Sequence, residues 1–234
     1  MLAFRRVLLV LPLLLASLTV HSQAAEPTFR QVEIQGWTLH LDTRLERDSP
    51  DETARALKLL EEQLCFIIDV VPERHIPQLQ QVTLWFSPLY PGIGPKAVYH
   101  PSVDWLKKND RNPEMARCVE FTNIAIFEKE VKRMPVFVLH ELAHAYHDQV
   151  LGFDHVDIKA AYDAAKSTGL YDQVRRGNGK IERAYAITNA KEYFAENTEA
   201  YFGQNDFFPF NATELKAHDP RMYALLEKIW GQPQ

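Results

Sequence analysis

The run Arg133-Met134-Pro135-Val136-Phe137-Val138-Leu139-His140-Glu141-Leu142-Ala143-His144-Ala145-Tyr146-His147-Asp148-Gln149-Val150-Leu151-Gly152 decides how the rest of the chain is read. Pro135 suits the first turn of a helix, and Gly152 suits the position just past its end. Between them Val136, Phe137, Leu139, Ala143, Tyr146 and Val150 supply apolar groups, uninterrupted by Gly or Pro. That pattern predicts one largely buried helix from about Pro135 to Leu151. On a helix, residues i and i+4 stack on one face. His140 and His144 therefore offer two imidazoles to one metal, and Glu141 stands beside them as a carboxylate base for a metal-bound water. His147 returns to the same face, but at ~1.5 Å rise per residue it lies ~10 Å along the axis from His140, too far to share its metal. The metzincin extension needs a Gly and then a third His after His144; His147 and Val150 occupy those positions, so that class fails.

The alternative class takes its third ligand, a Glu, from a separate helix, and the run Thr188 to Gly203, TNAKEYFAENTEAYFG, supplies such a helix. Asn189 can cap its start and Gly203 can end it. Glu192, Glu196 and Glu199 fall at i, i+4 and i+7 and share a face. A row of carboxylates set between aromatics calls for something positive opposite it. On spacing alone either Glu192 or Glu196 reaches the metal. Glu192 sits in the first turn, near the loop that carries Tyr185; it also stands three residues after Asn189, where it could instead complete a capping box.

Taken together, HELAH and YAITNAKEYFAENTEAYF resemble the catalytic domain of anthrax lethal factor and its relatives, a group of gluzincin metallopeptidases. The family's second motif has a Tyr, then Thr-Asn, then Glu followed by two aromatics, Ala and Glu. The resemblance implies that His140, His144 and Glu192 hold Zn²⁺ and that Glu141 is the general base. It also implies that Tyr185 donates a hydrogen bond to the developing oxyanion, and that Glu196 supports a ligand imidazole from behind. His218 is the alternative oxyanion donor, since a His takes that role in some relatives of the class. The resemblance spans roughly residues 136 to 203 and does not reach the N-terminal half, so it says nothing of substrate.

Working outward, residues 1–24 combine Arg5 and Arg6, an apolar run from Val7 to Val20, and Ser22-Gln23-Ala24, the pattern of a secretory signal peptide. The apolar run is short of the roughly 20 residues of a spanning helix, so no lasting membrane insertion is expected. Residues 25–234 read as a single zincin-like domain, with an upper lobe to about residue 151 and a mainly helical lower lobe from about 152. Without Arg5 and Arg6, 24 basic residues face 31 acidic ones, a net charge of −7 that argues against nucleic acid and anionic membranes. Cys65 and Cys118 are too few for a disulfide scaffold; they could form one bridge or stay as buried thiols.

The fold class expected is α+β: a small mixed sheet packed on the active-site helix. Alternating apolar residues around Gly36 predict a hairpin over Thr28 to Asp42. Asp51 to Val70 predicts an amphipathic helix with Ala54, Leu57, Leu60, Leu64, Ile67 and Ile68 inward, and Gln80 to Phe86 a strand. Ser87 to Pro101, rich in Pro and Gly, reads as a loop, with a helical turn over Val103 to Lys108. The segment Arg117 to Phe127 reads as the strand that would pair with an extended substrate. Further helices are expected from Asp154 to Gly169 and after Asp219-Pro220. Arg175, Arg176, Lys180 and Arg183 form a basic loop, either a solvated turn or a contact for an acidic group, and Asn211-Ala212-Thr213 is a glycosylation sequon.

The expected function is that of a secreted or periplasmic zinc peptidase acting on peptide or protein substrates. Its rivals are a zinc hydrolase limited to chain ends or to a non-protein amide, and a non-catalytic zinc-binding protein. Retention of Glu141 weighs against the last, because a protein without turnover has no need of that carboxylate.

Overall fold

The structure is a computed structural model and describes residues 28–233; the expected leader, residues 1–24, lies outside them. Its first element is a hairpin of β1 (Phe29–Ile34) and β2 (Trp37–Asp42). Gln35 and Gly36 both take positive φ, 51° and 85°, which gives the two-residue turn whose twist matches an antiparallel pair. Next come α1 (Thr43–Asp48), α2 (Pro50–Val70), α3 (Ile76–Gln80) and β3 (Leu84–Phe86). They are followed by β4 (Ala97–Tyr99), α4 (Val103–Lys108), β5 (Val119–Phe121) and α5 (Phe127–Arg133). The strands form one mixed sheet in the order β1-β2-β3-β5-β4, with β2, β3 and β5 parallel and both outer strands antiparallel to their neighbours. All five strands precede α6 (Phe137–Tyr146). After it lie α7 (Val156–Ser167), the two-residue strands β6 (Val174–Arg175) and β7 (Ile181–Glu182), α8 (Ala190–Phe202), α9 (Ala212–His218) and α10 (Pro220–Trp230). The α+β class with a small mixed sheet is therefore observed. No helix among the described residues is long and apolar enough to cross a membrane.

Two expectations about strands are corrected. The segment expected to be one strand from Arg117 to Phe127 is a strand only over β5; Ile124–Ile126 is a 3₁₀ turn and Phe127 already begins α5. Moreover β5 is interior, flanked by β3 and β4, so its backbone has no free side to offer a substrate. The edge strand on the side of β5 is β4, which lies inside the stretch read as a loop. Its residues pair antiparallel with β5, Ala97 opposite Phe121 and Tyr99 opposite Val119.

The core sits between the sheet, α2 and α6. Phe86, Phe121, Phe127 and Phe137 form an aromatic cluster with ring centroids 5.0–6.0 Å apart, which fixes the start of α6 against the sheet. On α2 the buried residues are Thr53, Ala56, Leu60, Gln63, Leu64 and Ile67, whereas Ala54 is exposed. The buried stripe is rotated from the expected one because Gln63 turns inward and donates to the Pro135 carbonyl at 2.5 Å. Cys65 and Cys118 are both free; Cys118 packs beside Trp85, Leu106 and Met115 in a cluster of its own. The optional bridge is not made.

The decisive helix also differs in detail. It begins at Phe137 rather than Pro135 and its last turn, His147–Leu151, is a π-turn ended by Gly152 at φ 83°. This wider turn points Asp148 and Gln149 at the sheet: the Tyr99 hydroxyl donates to Asp148 Oδ2 at 2.6 Å, and Gln149 Nε2 donates to the Tyr99 hydroxyl at 3.2 Å. The edge strand is thus fastened to the far end of the helix.

Candidate metal centre

Helices α6 and α8 pack against each other and bring together the groups singled out from sequence. His140 Nε2 and His144 Nε2 lie 3.1 Å apart, and each is 3.2 Å from Glu192 Oε2. Ligand atoms ~2.0–2.1 Å from one zinc at tetrahedral corners lie about 3.3 Å apart, so these three atoms fit a single zinc-sized cation. The chemistry agrees, since two imidazole nitrogens and a carboxylate oxygen are the donors zinc takes in hydrolytic sites. Glu192 is free for this role because Asn189 caps α8 with its own side chain, accepting from the backbone N–H of Lys191 and Glu192. The capping-box alternative is not used.

Behind the pair the roles differ from expectation. The carboxylate that supports His140 is Glu199: its Oε1 is 2.7 Å from His140 Nδ1, whereas Glu196 Oε1 is 3.8 Å away. An Nδ1 proton directed at Glu199 leaves the Nε2 lone pair free for a metal. Glu196 is correctly placed in the site but not as the imidazole's close partner. The crossing of α6 over α8 decides this, since both glutamates lie on the right face of α8. Both are buried, and burial pushes both carboxyls up; the charge of Glu199 adds to the effect on Glu196. Burial opposes a charge on His140, yet hydrogen bonds to Glu192 and Glu199 raise its pKa well above the usual histidine value. Burial likewise opposes ionisation of Glu192, but bonding to His140 and His144 holds it well below the usual carboxylate range. The ionised Glu192, with Glu199 accepting from His140, makes this a place for positive charge.

The remaining groups line a cavity of about 760 Å³ that also contains His140, His144 and Glu192. Glu141 faces it, and its Oε2 accepts the Tyr99 backbone N–H of the edge strand at 2.8 Å. Tyr185, on a 3₁₀ turn just before α8, faces the same space. Burial and the nearby Glu192 charge raise its pKa, so the phenol stays protonated and able to donate. His218 does not reach the cavity; its ring packs on Tyr171 and Phe208, which removes it as an oxyanion donor. His147 is also outside the site, held between Phe153 and Phe194 with centroids 5.1 and 4.9 Å away. Of the basic loop, Arg176 and Arg183 line the cavity, and both are ion-paired, to Asp206 and Asp172 respectively. The residues sequence reasoning missed are Glu199 as the imidazole's partner and the backbone of Tyr99. Glu199 was visible in the i, i+7 spacing, whereas the Tyr99 contact depends on a strand defined only by its pairing. Compared with known proteins, the chain matches no family model, no curated protein and no solved structure.

Proposed function

We propose that the protein is a zinc-dependent peptidase with a zincin-like arrangement of sheet and active-site helix, of the gluzincin kind that the two motifs resemble. The observation that carries this reading is the triangle of His140, His144 and Glu192 donor atoms, 3.1–3.2 Å on a side, with Glu141 beside it in a cavity wide enough for a peptide segment. When bound there, zinc would supply a Lewis acid that acidifies a water and polarises the scissile carbonyl. The rest falls to the chain's own residues. Glu141 takes the proton of the attacking water and delivers it to the leaving nitrogen. Tyr185 donates a hydrogen bond to the carbonyl oxygen as charge builds on it. Glu199 holds the His140 ring in the tautomer that coordinates.

The edge strand supports the peptidase reading over hydrolysis of a small amide. In the pairing of β4 with β5, His100 N–H bonds to Cys118 and Thr122 N–H to Lys96, so Val98 points its backbone to β5 and Ala97 points its own outward. An extended peptide can add at the free backbone of Ala97, beside the Tyr99 N–H that Glu141 accepts. The leader pattern of residues 1–24 would take the protein out of the cytoplasm.

The test is direct. Purified protein should carry about one zinc per chain, and a random peptide library should be cut by wild type. Absence of zinc from wild-type protein after loading would remove the reading at its base. Bound zinc with no peptide cut at any position would leave a metal site without the proposed chemistry.

A further inference from the structure

The cavity has two unlike ends, and its direction can be read from the strand that borders it. Ala97 of β4 lies opposite Phe121, whose ring meets Phe137 at the start of α6. Tyr99 reaches Asp148, beyond the end of α6. So β4 and α6 run the same way, and a peptide added antiparallel to β4 points its C-terminal end at the start of α6.

That end is latched. Arg133, the last residue of α5, belongs to the part of the chain that builds the sheet; Asp206 lies in the loop after α8. Both line the cavity, and Arg133 Nη1 stands 3.6 Å from Asp206 Oδ2. Asp206 is only 6% exposed and also holds Arg176 Nη2 at 3.0 Å, while Arg176 Nη1 meets Glu182 at 3.3 Å. The loop is fixed in turn: the Gly177 N–H donates to the Asp206 carbonyl at 2.7 Å and the Phe208 N–H to Arg175 at 2.8 Å. At the opposite end Pro101, Phe153 and Lys191 line the cavity, and no ion pair among the described residues joins its two walls there.

The charges at the latched end are unevenly satisfied. Glu130, Asp206 and Glu182 each meet Arg133 or Arg176. Lys96, immediately before β4, lines the cavity without a carboxylate partner among the described residues. Arg133 is held tightly by Glu130 at 2.6 Å through Nη2, and its Nη1 only loosely at 3.6 Å. One ammonium therefore remains available where the C-terminal end of a bound peptide arrives, and Arg133 Nη1 can turn to the same group by giving up its loose contact with Asp206.

We infer that the protein trims peptides from their C-terminal ends, with the substrate's α-carboxylate received by Lys96 and Arg133 beneath the Arg133–Asp206 latch. This rests on the peptidase reading above and adds to it the class of substrate: a free chain end rather than an internal loop. A longer chain would have to part Arg133 from Asp206 to run on past the site.

The test uses peptides of one sequence with a free acid or an amide at the C-terminus. Wild type should release only short C-terminal fragments and favour the free acid by about tenfold or more in kcat/KM, the size of a charge-assisted contact. Lys96→Ala and Arg133→Gln, both at solvent-accessible positions, should bring that preference towards unity while zinc content and melting temperature stay unchanged. Binding of both peptides to zinc-loaded Glu141→Gln protein supplies a reading independent of turnover. Tighter binding of the acid without any turnover would keep the carboxylate site and discard the peptidase. Internal cuts, or equal handling of acid and amide, would overturn the inference and leave the peptidase. Neither turnover nor binding preference would overturn both.

Discussion

His140 and His147 lie on one continuous helical run and are both sealed from solvent, 4% and 0% exposed, yet the fold treats them as different chemical species. Around His140 stand Glu192, Glu196 and Glu199, and hydrogen bonding outweighs burial to favour a positive charge. Around His147 stand the rings of Phe153 and Phe194, both ring nitrogens lack a hydrogen-bond partner among the described residues, and burial pushes its pKa down to about 3. The polar region holds its histidine ready for a cation, and the aromatic region keeps its histidine neutral as a packing unit. What separates a candidate ligand from a core residue is therefore the neighbouring helix, not the residue or its depth.

The comparison breaks most completely if the polar region does not hold a metal. Glu192→Ala should abolish stoichiometric zinc, a larger loss than the ~10–100-fold that removal of an outer partner costs. Metal analysis of wild type and variant decides it, and retained zinc in the variant would shift the third ligand to Glu196. Next in size, Glu141→Gln should keep zinc and fold while peptide turnover falls by ~10²–10⁴, because an amide cannot accept the proton. Wild-type turnover in that variant would show that Glu141 is not the base.

A finer cut runs between the two glutamates behind His140. Glu199→Gln should weaken zinc or activity by ~10–100-fold and Glu196→Gln by less, since only Glu199 is within hydrogen-bond reach of Nδ1. Competitive chelator titration would rank them, and the reverse order would restore Glu196 as the imidazole's partner.

The smallest effect belongs to the aromatic region. A histidine whose folded pKa is about 3, below the unfolded ~6.5, contributes fully above pH 6.5, and its contribution is lost as pH falls towards 3. The slope is roughly 1 kcal/mol per pH unit for the single group. In metal-free protein, His147→Phe should therefore lose less melting temperature between pH 7 and pH 5 than wild type does. Parallel curves would mean that His147 is not held neutral.

Much of the polar region was legible because its signals are local. The i, i+4 spacing of His140 and His144, the Asn189 cap and the carboxylate row of α8 each act within one or two helical turns, and each stands where the sequence put it. The strand nearest the site was not legible. The three residues of β4 sit between proline-rich stretches and become a strand only by pairing with β5, about twenty residues on. The same reason hid the choice of Glu199 over Glu196, because a helix crossing angle is not written in either helix. His218 failed as an oxyanion donor for a related cause: its place is set by packing on Tyr171 and Phe208.

The π-turn at His147–Leu151 has a consequence for how the chain tolerates change in length. A π-turn is an α-helix carrying one surplus residue, so deleting one residue between His147 and Leu151 would let the helix close regularly. Such a deletion would spare every metal donor, all of which lie upstream on α6 or on α8. It would nonetheless rotate Asp148 and Gln149 away from the Tyr99 hydroxyl and release the edge strand at the point where it also holds Glu141. On the proposed reading, a shortened protein of this kind would keep its metal donors and lose turnover.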